Sequence, residues 1–280
     1  MSGLVGAARR WRIVLLLWGV GVLFGLAFSL AAGRWLEVAL DASVASRTLL
    51  KDLNANVFVD LWMHHRESLS MLLVVALVMI VVQLAFSICL NGGVAGTAYD
   101  ARTAVTLSEF WRRGLRLYPV FARLWLLAMT VTVVVLAAVA GGVVLLTRWL
   151  SESPSEMTYS YVLGAGGLLA ALGLVLVVAV HDHARLYVAR QDVGAARAYL
   201  WALWFVLRGD LRAPGLALAL LTISVVFWLV YQGLATFLPA TSGGGVFASI
   251  LWGEVLLQGR ALLRVVAFVA QAELQAEMPS

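Results

Sequence analysis

The fold is decided by residues 161–180, YVLGAGGLLAALGLVLVVAV, and by the ten residues that follow them, HDHARLYVAR (181–190). The first stretch has no charged side chain, whereas the second has an aspartate, two arginines and two histidines. A helix needs about 20 apolar residues to cross the hydrocarbon core of a bilayer, which is about 30 Å thick. The first stretch therefore predicts a transmembrane helix, and the second predicts where the chain leaves the membrane.

Four more stretches have the same length and apolar character, and a fifth is long enough but carries Glu254, Arg260 and Arg264. Six spans are predicted in all: 13–32, 71–90, 124–146, 161–180, 213–237 and 246–268. Of the 280 residues, 62% are hydrophobic and 12% are charged, whereas about 25% of the residues of soluble domains are charged. The sequence predicts an all-α fold, a single integral membrane domain over residues 1–280 formed by a bundle of six transmembrane helices.

The arginines indicate which side of the membrane each loop occupies. If the N-terminus is cytoplasmic, fifteen of the twenty basic residues lie in cytoplasmic segments and five lie outside. Because basic loops stay on the cytoplasmic side, both termini are predicted to be cytoplasmic. The net charge of +5 then reports topology and contact with anionic lipid headgroups, not binding of nucleic acid. Nineteen arginines against one lysine suggest a GC-rich bacterial genome, and so a bacterial inner membrane.

Two basic amphipathic segments each precede a membrane hairpin. AYDARTAVTLSEFWRRGLRLYP follows the second span, and HDHARLYVARQDVGAARAYLWALWFVLRGDLRAP follows the fourth, so the two halves form a pseudo-repeat. Interfacial helices are predicted at about 106–118, with Thr106 and Glu109 as a capping box, and at 184–208. The candidate contacts with lipid headgroups are Arg112, Arg113, Arg116, Arg190, Arg197 and Arg208. Docking of the same apolar stripes on a membrane partner protein is the alternative.

The outer segment 33–70 differs from the other loops. Leu50, Leu53, Val57 and Leu61 form a helical stripe among charged residues. The stripe predicts helices that cap the outer face and a surface for an extracytoplasmic protein partner. An ordinary ordered loop is the alternative.

No motif in the chain predicts catalysis or a cofactor. His181 and His183 are two residues apart, so on a helix they point in nearly opposite directions and cannot hold one ion together. No other cluster has metal-ligand spacing, and one cysteine, Cys89, makes neither an intramolecular disulfide nor a cysteine-based zinc site. There is no phosphate loop, nucleotide fingerprint or nucleophile elbow. The protein is not expected to be an enzyme or to hold a metal or cofactor.

The sixth span is the candidate functional segment. Glu254 lies eight residues after Val246, about 12 Å deep, and ionisable residues at such depth usually have a function. The candidate intramembrane polar site comprises Glu254, Gln258, Arg260, Arg264 and Gln83. Glu254 is expected to face the interior or a wet cavity, near Gln83 or Gln258. Alternatively, Glu254 is a structural acid and the arginines extend to the membrane surface.

The D-A-R and D-H-A-R sequences after spans two and four, the prolines Pro119 and Pro214 and the polar last span resemble a class of uncharacterised bacterial six-span inner-membrane proteins. That class includes the membrane domain fused to some glycerophosphodiester phosphodiesterases. This sequence contains no hydrolase domain, so the resemblance implies no such activity. Two functions are carried forward: a non-catalytic scaffold or membrane subunit of a larger assembly, and a transporter or lipid-handling permease that uses polar residues of the sixth span.

Overall fold

A computed structural model describes residues 10–40, 63, 66–99, 106–150, 156–208, 212–237 and 243–277. These residues form seven helices and no strand: α1 (Trp11–Leu40), α2 (Arg66–Ala98), α3 (Leu107–Trp149), α4 (Glu156–Gln191), α5 (Ala195–Arg208), α6 (Arg212–Ala235) and α7 (Gly243–Glu277). All except α5 are long and apolar enough to cross a membrane. The predicted all-α fold with six spanning helices is confirmed. The stripe at residues 50–61 lies outside the described residues.

The chain divides into two compact units. The small unit is Leu16–Ser87, in which Phe24 and Phe86 make an edge-to-face contact with ring centroids 5.7 Å apart. The large unit comprises Met1–Leu15 and Ile88–Ser280. Within the large unit, α4 packs against α3, α5, α6 and α7, and therefore occupies a central place.

Helices α3 and α4 of the large unit are longer than a bilayer is thick. With 43 residues α3 is about 64 Å long, and α4, with 36 residues, is about 54 Å long. Because α3 ends at Trp149 and α4 begins at Glu156, the two form a hairpin. The charged start of α3 (107–123) and the charged end of α4 (181–191) therefore lie at the same end. We call it the basic end; α5 and the second half of α7 pack there too.

The predicted helix at 106–118 is the beginning of α3 and not a separate element. Thr106 is the N-cap, and its hydroxyl accepts a hydrogen bond from the Glu109 amide, 3.3 Å away. The Glu109 carboxylate pairs with Arg113 instead of reaching back to complete the capping box. The helix then continues through Pro119 into the apolar run. Proline interrupts helices in water, but membrane helices tolerate it because neighbouring groups satisfy the freed carbonyl.

The predicted helix at 184–208 is divided in two. Residues 184–191 are the last turns of α4, and α5 begins at Ala195. Asp192 has a φ of 54°, in the left-handed region, and its amide donates to the Val188 carbonyl at 2.9 Å. A left-handed residue just after the last helical residue, with its amide bonded back to the helix, is a common way to end a helix. The apolar stripe that the sequence suggests is therefore carried by two helices.

Burial is concentrated at the basic end and not in the apolar middle of the helices. The buried residues of α3 are Phe110, Gly114, Leu117, Phe121, Leu124 and Ala128. Most buried residues of α4 lie between Val177 and Val188, and the apolar parts of α3 and α4 away from the basic end are largely exposed. Apolar side chains that face acyl chains need no cover from protein, whereas the ends of these helices do.

Close packing of glycines joins the end of α2 to the start of α3. A Cβ added at Gly93 would lie 2.5 Å from the Phe110 ring, and one at Gly114 would lie 2.6 Å from the Cys89 carbonyl oxygen. Only glycine allows backbones to approach this closely. The contact also fixes Arg113, whose guanidinium donates to the Gly96 carbonyl.

Candidate functional site: a basic cleft above a buried polar network

Asp182 joins α4 to α7. One carboxylate oxygen accepts a hydrogen bond from Arg185 Nη1 at 3.1 Å, and the other accepts from Gln271 Nε2 at 3.2 Å. The first bond lies within α4, while the second crosses to α7. Burial of a carboxylate is costly unless it is paired and hydrogen-bonded, and both conditions are met here. Asp182 therefore fixes the relative position of two helices.

Gln275, one turn after Gln271, makes the second set of polar contacts. Its Nε2 lies 3.0 Å from His183 Nδ1 and donates to the His183 carbonyl at 2.9 Å, and its Oε1 accepts from the Tyr99 hydroxyl. Burial raises the pKa of the Tyr99 phenol well above its ordinary value, although the nearby Arg190 opposes this effect. The phenol therefore stays protonated and remains a donor. The network connects α4 and α7 to the residue that follows α2.

The histidines of HDHARLYVAR belong to the packed core of the basic end. His183 is 1% exposed, and its ring lies 4.9 Å from that of Phe205 in α5. His181 is 8% exposed, and within the described part of the chain neither of its ring nitrogens has a hydrogen-bond partner. The same described residues contain no group of three or more His, Cys, Asp or Glu side chains that could hold a metal ion.

An open cleft of about 410 Å³ lies between α4, α6 and α7. Ten of its fifteen lining residues are apolar: Val178, Ala217, Leu220, Leu221, Val225, Phe227, Trp228, Leu256, Leu263 and Ala267. The other five are Asp182, Ser224, Arg260, Arg264 and Gln271. The cleft therefore combines an apolar wall with two guanidinium groups and one carboxylate that is already hydrogen-bonded.

Contacts between α6 and α7 set the wall of this cleft. A Cβ added at Gly259 would lie 2.3 Å from Phe227 Cζ, so the ring occupies the space that glycine leaves. Nearer the other end, the Trp252 indole donates to the Tyr231 carbonyl at 3.1 Å, and the two rings stack with centroids 6.0 Å apart. These contacts hold α7 so that Arg260 and Arg264, one turn apart, face the cleft.

Two of the five residues of the predicted polar site line the cleft. Arg260 and Arg264 line the cleft, whereas Gln258 is exposed on α7 and Gln83 is exposed in the small unit. Glu254 is half-buried and is not among the residues that line the cleft. Arg260 and Arg264 are therefore the two residues of the predicted site that a ligand in the cleft would contact.

Two residues of the cleft were not predicted from the sequence. They are Asp182 and Gln271, which are hydrogen-bonded to each other. Their sequence signals are weak: an aspartate three residues before an arginine, and two glutamines four residues apart at the end of an apolar helix. The contact between α4 and α7 is needed to recognise that Asp182 and Gln271 form a pair.

The arginines predicted to contact headgroups lie on or near the surface of the basic end. Arg112, Arg116, Arg190, Arg197 and Arg208 are exposed, and Arg113 is half-buried. The guanidinium of Arg208 lies over the Trp204 ring, 5.1 Å from its centroid. Exposed apolar residues lie beside it on α5: Leu200, Leu203, Trp204 and Leu207.

Comparisons with protein-family models, with curated proteins and with solved structures find no match to this chain.

Proposed function

We propose that this polytopic membrane protein binds and hands on an anionic amphiphile, a molecule with an apolar tail and an acidic headgroup. The observation that carries the proposal is the α4–α6–α7 cleft, in which Arg260 and Arg264 are set in an otherwise mostly apolar wall. Ligand sites typically combine an apolar lining with a few polar groups that fix orientation. Here the apolar wall suits an acyl chain, and the guanidinium groups suit its headgroup.

The charges of the cleft favour an anion. Asp182 already accepts hydrogen bonds from Arg185 and Gln271. Arg260 is exposed within the cleft and has no ion pair among the described residues. A guanidinium presents a planar set of donors that matches a phosphate or carboxylate group. We therefore assign Arg260 and Arg264 together to headgroup recognition, with Arg264, beside Asp182, the nearer of the two to the basic end.

The extent of the cleft suits a lipid of one leaflet. Along α6 it runs from Ala217 to Trp228, eleven residues or about 16 Å. That length is about half of a hydrocarbon core of about 30 Å. An amphiphile could therefore place its headgroup at the two arginines while its chain lies along the apolar wall of the cleft. The proposal includes the orientation expected from the arginines, with the basic end in the cytoplasm of a bacterial inner membrane.

A non-catalytic scaffold, the membrane subunit of a larger assembly, is the second candidate. The exposed apolar residues of α5 favour it, because they could dock on a partner as well as on lipid. The bonds of Asp182 and Gln271 also suit a purely structural role. Neither candidate assigns an enzymatic activity to the chain.

Photocrosslinking from the cleft distinguishes the two functions. A photoreactive amino acid replaces Ser224, which lines the cleft, and in a control it replaces Val226, an exposed residue of the same helix outside the lining. After illumination in membranes, the adduct at position 224 is expected to be an anionic amphiphile. Arg260→Gln should reduce that adduct about tenfold, the loss expected when a charge-assisted hydrogen bond worth about 1.5 kcal/mol is removed.

Two results would contradict lipid handling. One is an adduct at position 224 that matches the bulk lipid composition and resembles the adduct at position 226. The other is crosslinking of position 224 mainly to another protein, which would support the scaffold.

A further inference from the structure

A second recess lies at the basic end, where α2, α3 and α4 meet. Its volume is about 540 Å³, and it is lined by Gly96, Arg112, Arg113, Arg116, Leu117 and Ala189. We call it the Arg112 recess. None of these residues lines the α4–α6–α7 cleft, so the two sites are distinct.

The three arginines of the recess are not equivalent. Arg113 is held in place by the Glu109 carboxylate and by the Gly96 carbonyl. Arg112 and Arg116, one turn apart on α3, are exposed and form no ion pair with any described residue. With Glu109 included, the local charge is therefore +2. Two guanidinium groups remain available for a ligand.

Small residues create the space between these guanidinium groups. Gly96 has no side chain, and a Cβ added there would lie 3.1 Å from Arg113 Cβ. Ala189 forms the opposite wall from α4. The recess is therefore a shaped concavity and not only a charged surface.

We infer that the Arg112 recess binds a phosphate group in its dianionic, monoester-like form. Such a group carries a charge of about −1.5 to −2 near pH 7, which matches the local charge of the recess. It also has three acceptor oxygens, enough for paired hydrogen bonds with two guanidinium groups. A phosphodiester carries one negative charge and fewer free oxygens, so it should bind less well.

The position of the recess allows two sources of phosphate. Arg116 lies eight residues before Leu124, where the uncharged run of α3 begins, or about 12 Å along the helix axis. That distance exceeds the headgroup layer of one leaflet, which is about 5–7 Å thick, so the recess lies on the aqueous side of the headgroups. The phosphate could belong to a lipid such as phosphatidic acid, or it could be free in solution.

Binding is measured with the full chain in nanodiscs of phosphatidylcholine that contain either phosphatidic acid or phosphatidylglycerol, and in detergent with inorganic phosphate. We expect wild type to prefer phosphatidic acid. Arg112→Gln/Arg116→Gln should weaken its binding at least about tenfold. Ala189→Leu, which fills the recess and keeps every charge, should weaken it similarly. The control Arg197→Gln/Arg208→Gln removes two exposed arginines from α5 and should have little effect.

The results test whether phosphate binds in the Arg112 recess, and whether that phosphate belongs to a lipid or is free in solution. Inorganic phosphate that competes with phosphatidic acid and depends on the same two variants would support the site and assign it to a soluble ligand. Equal losses in the α3 and α5 double variants, equal binding of phosphatidylglycerol, or unchanged binding by a folded Ala189→Leu protein would overturn the inference, because each indicates general charge attraction.

Discussion

Gln275 shows how much a single amide contributes at the basic end. The residue is 4% exposed, and its side chain contacts His183 and Tyr99. No bulk water reaches this position to replace a lost partner. A buried donor or acceptor left without a partner costs about 1–3 kcal/mol. Gln275 therefore contributes to stability mainly because it hydrogen-bonds buried polar groups outside its own helix.

Gln275→Leu should lower the thermal unfolding temperature in detergent by several degrees, since it removes the partners of the His183 ring and of the Tyr99 hydroxyl. Gln258→Leu is the matched control, because Gln258 is an exposed glutamine of the same helix. It should leave the unfolding temperature nearly unchanged. Equal unfolding temperatures for the two variants would show that the hydrogen bonds of Gln275 do not stabilise the fold.

The sequence predicted two of the five residues in the cleft that are not apolar. Arg260 and Arg264 stood out because charges are rare inside an apolar run. Asp182 and Gln271 could not be paired from the sequence, since they lie 89 residues apart and meet only where α4 packs on α7. Glu254 drew attention through its assumed depth, which depends on where the helix enters the membrane.

Some helix ends can be predicted from the residues next to them in the sequence, and others cannot. Thr106 could be recognised as an N-cap from the residues that follow it, and the structure confirms its bond to the Glu109 amide. The break at residues 192–194 was not predicted, because the apolar stripe continues across it in sequence.

The glycines at 92, 93 and 96 were also not predicted to form a packing surface. Their meaning depends on Phe110, Arg113 and Gly114 of the next helix.

Glycine substitutions in α3 test this packing. An alanine Cβ at Gly114 would lie 2.6 Å from the Cys89 carbonyl oxygen, so the backbones of α2 and α3 would have to separate. Gly114→Ala should therefore lower the unfolding temperature. In Gly142→Ala, a control in the same helix, the added Cβ meets nothing within 4 Å. It should be neutral or slightly stabilising, because alanine is favoured over glycine in helices by about 1 kcal/mol. A Gly114→Ala protein as stable as wild type would contradict the close approach.

In the large unit, polar side chains are buried at the basic end and apolar side chains are exposed along the helices. A soluble protein has the reverse distribution. The buried network of Asp182, His183, Gln271 and Gln275 lies at the basic end, while the apolar lengths of the helices are widely exposed. A bilayer accounts for both features, since it covers the apolar lengths and leaves the charged ends to pack against one another. The cleft and the Arg112 recess both involve arginines of this end. Both proposed sites therefore depend on its lying at a membrane surface.

Sided labelling of α3 tests this arrangement most directly. Buried Cys89 is replaced by serine, and single cysteines replace exposed Ser108 or Trp149, which lie 41 residues, or about 62 Å, apart on one helix. In spheroplasts, a membrane-impermeant maleimide should label position 149 and should label position 108 only after the membrane is disrupted. Labelling of position 108 from outside, or of both positions in intact spheroplasts, would contradict a helix that crosses the bilayer with its arginine-rich end in the cytoplasm.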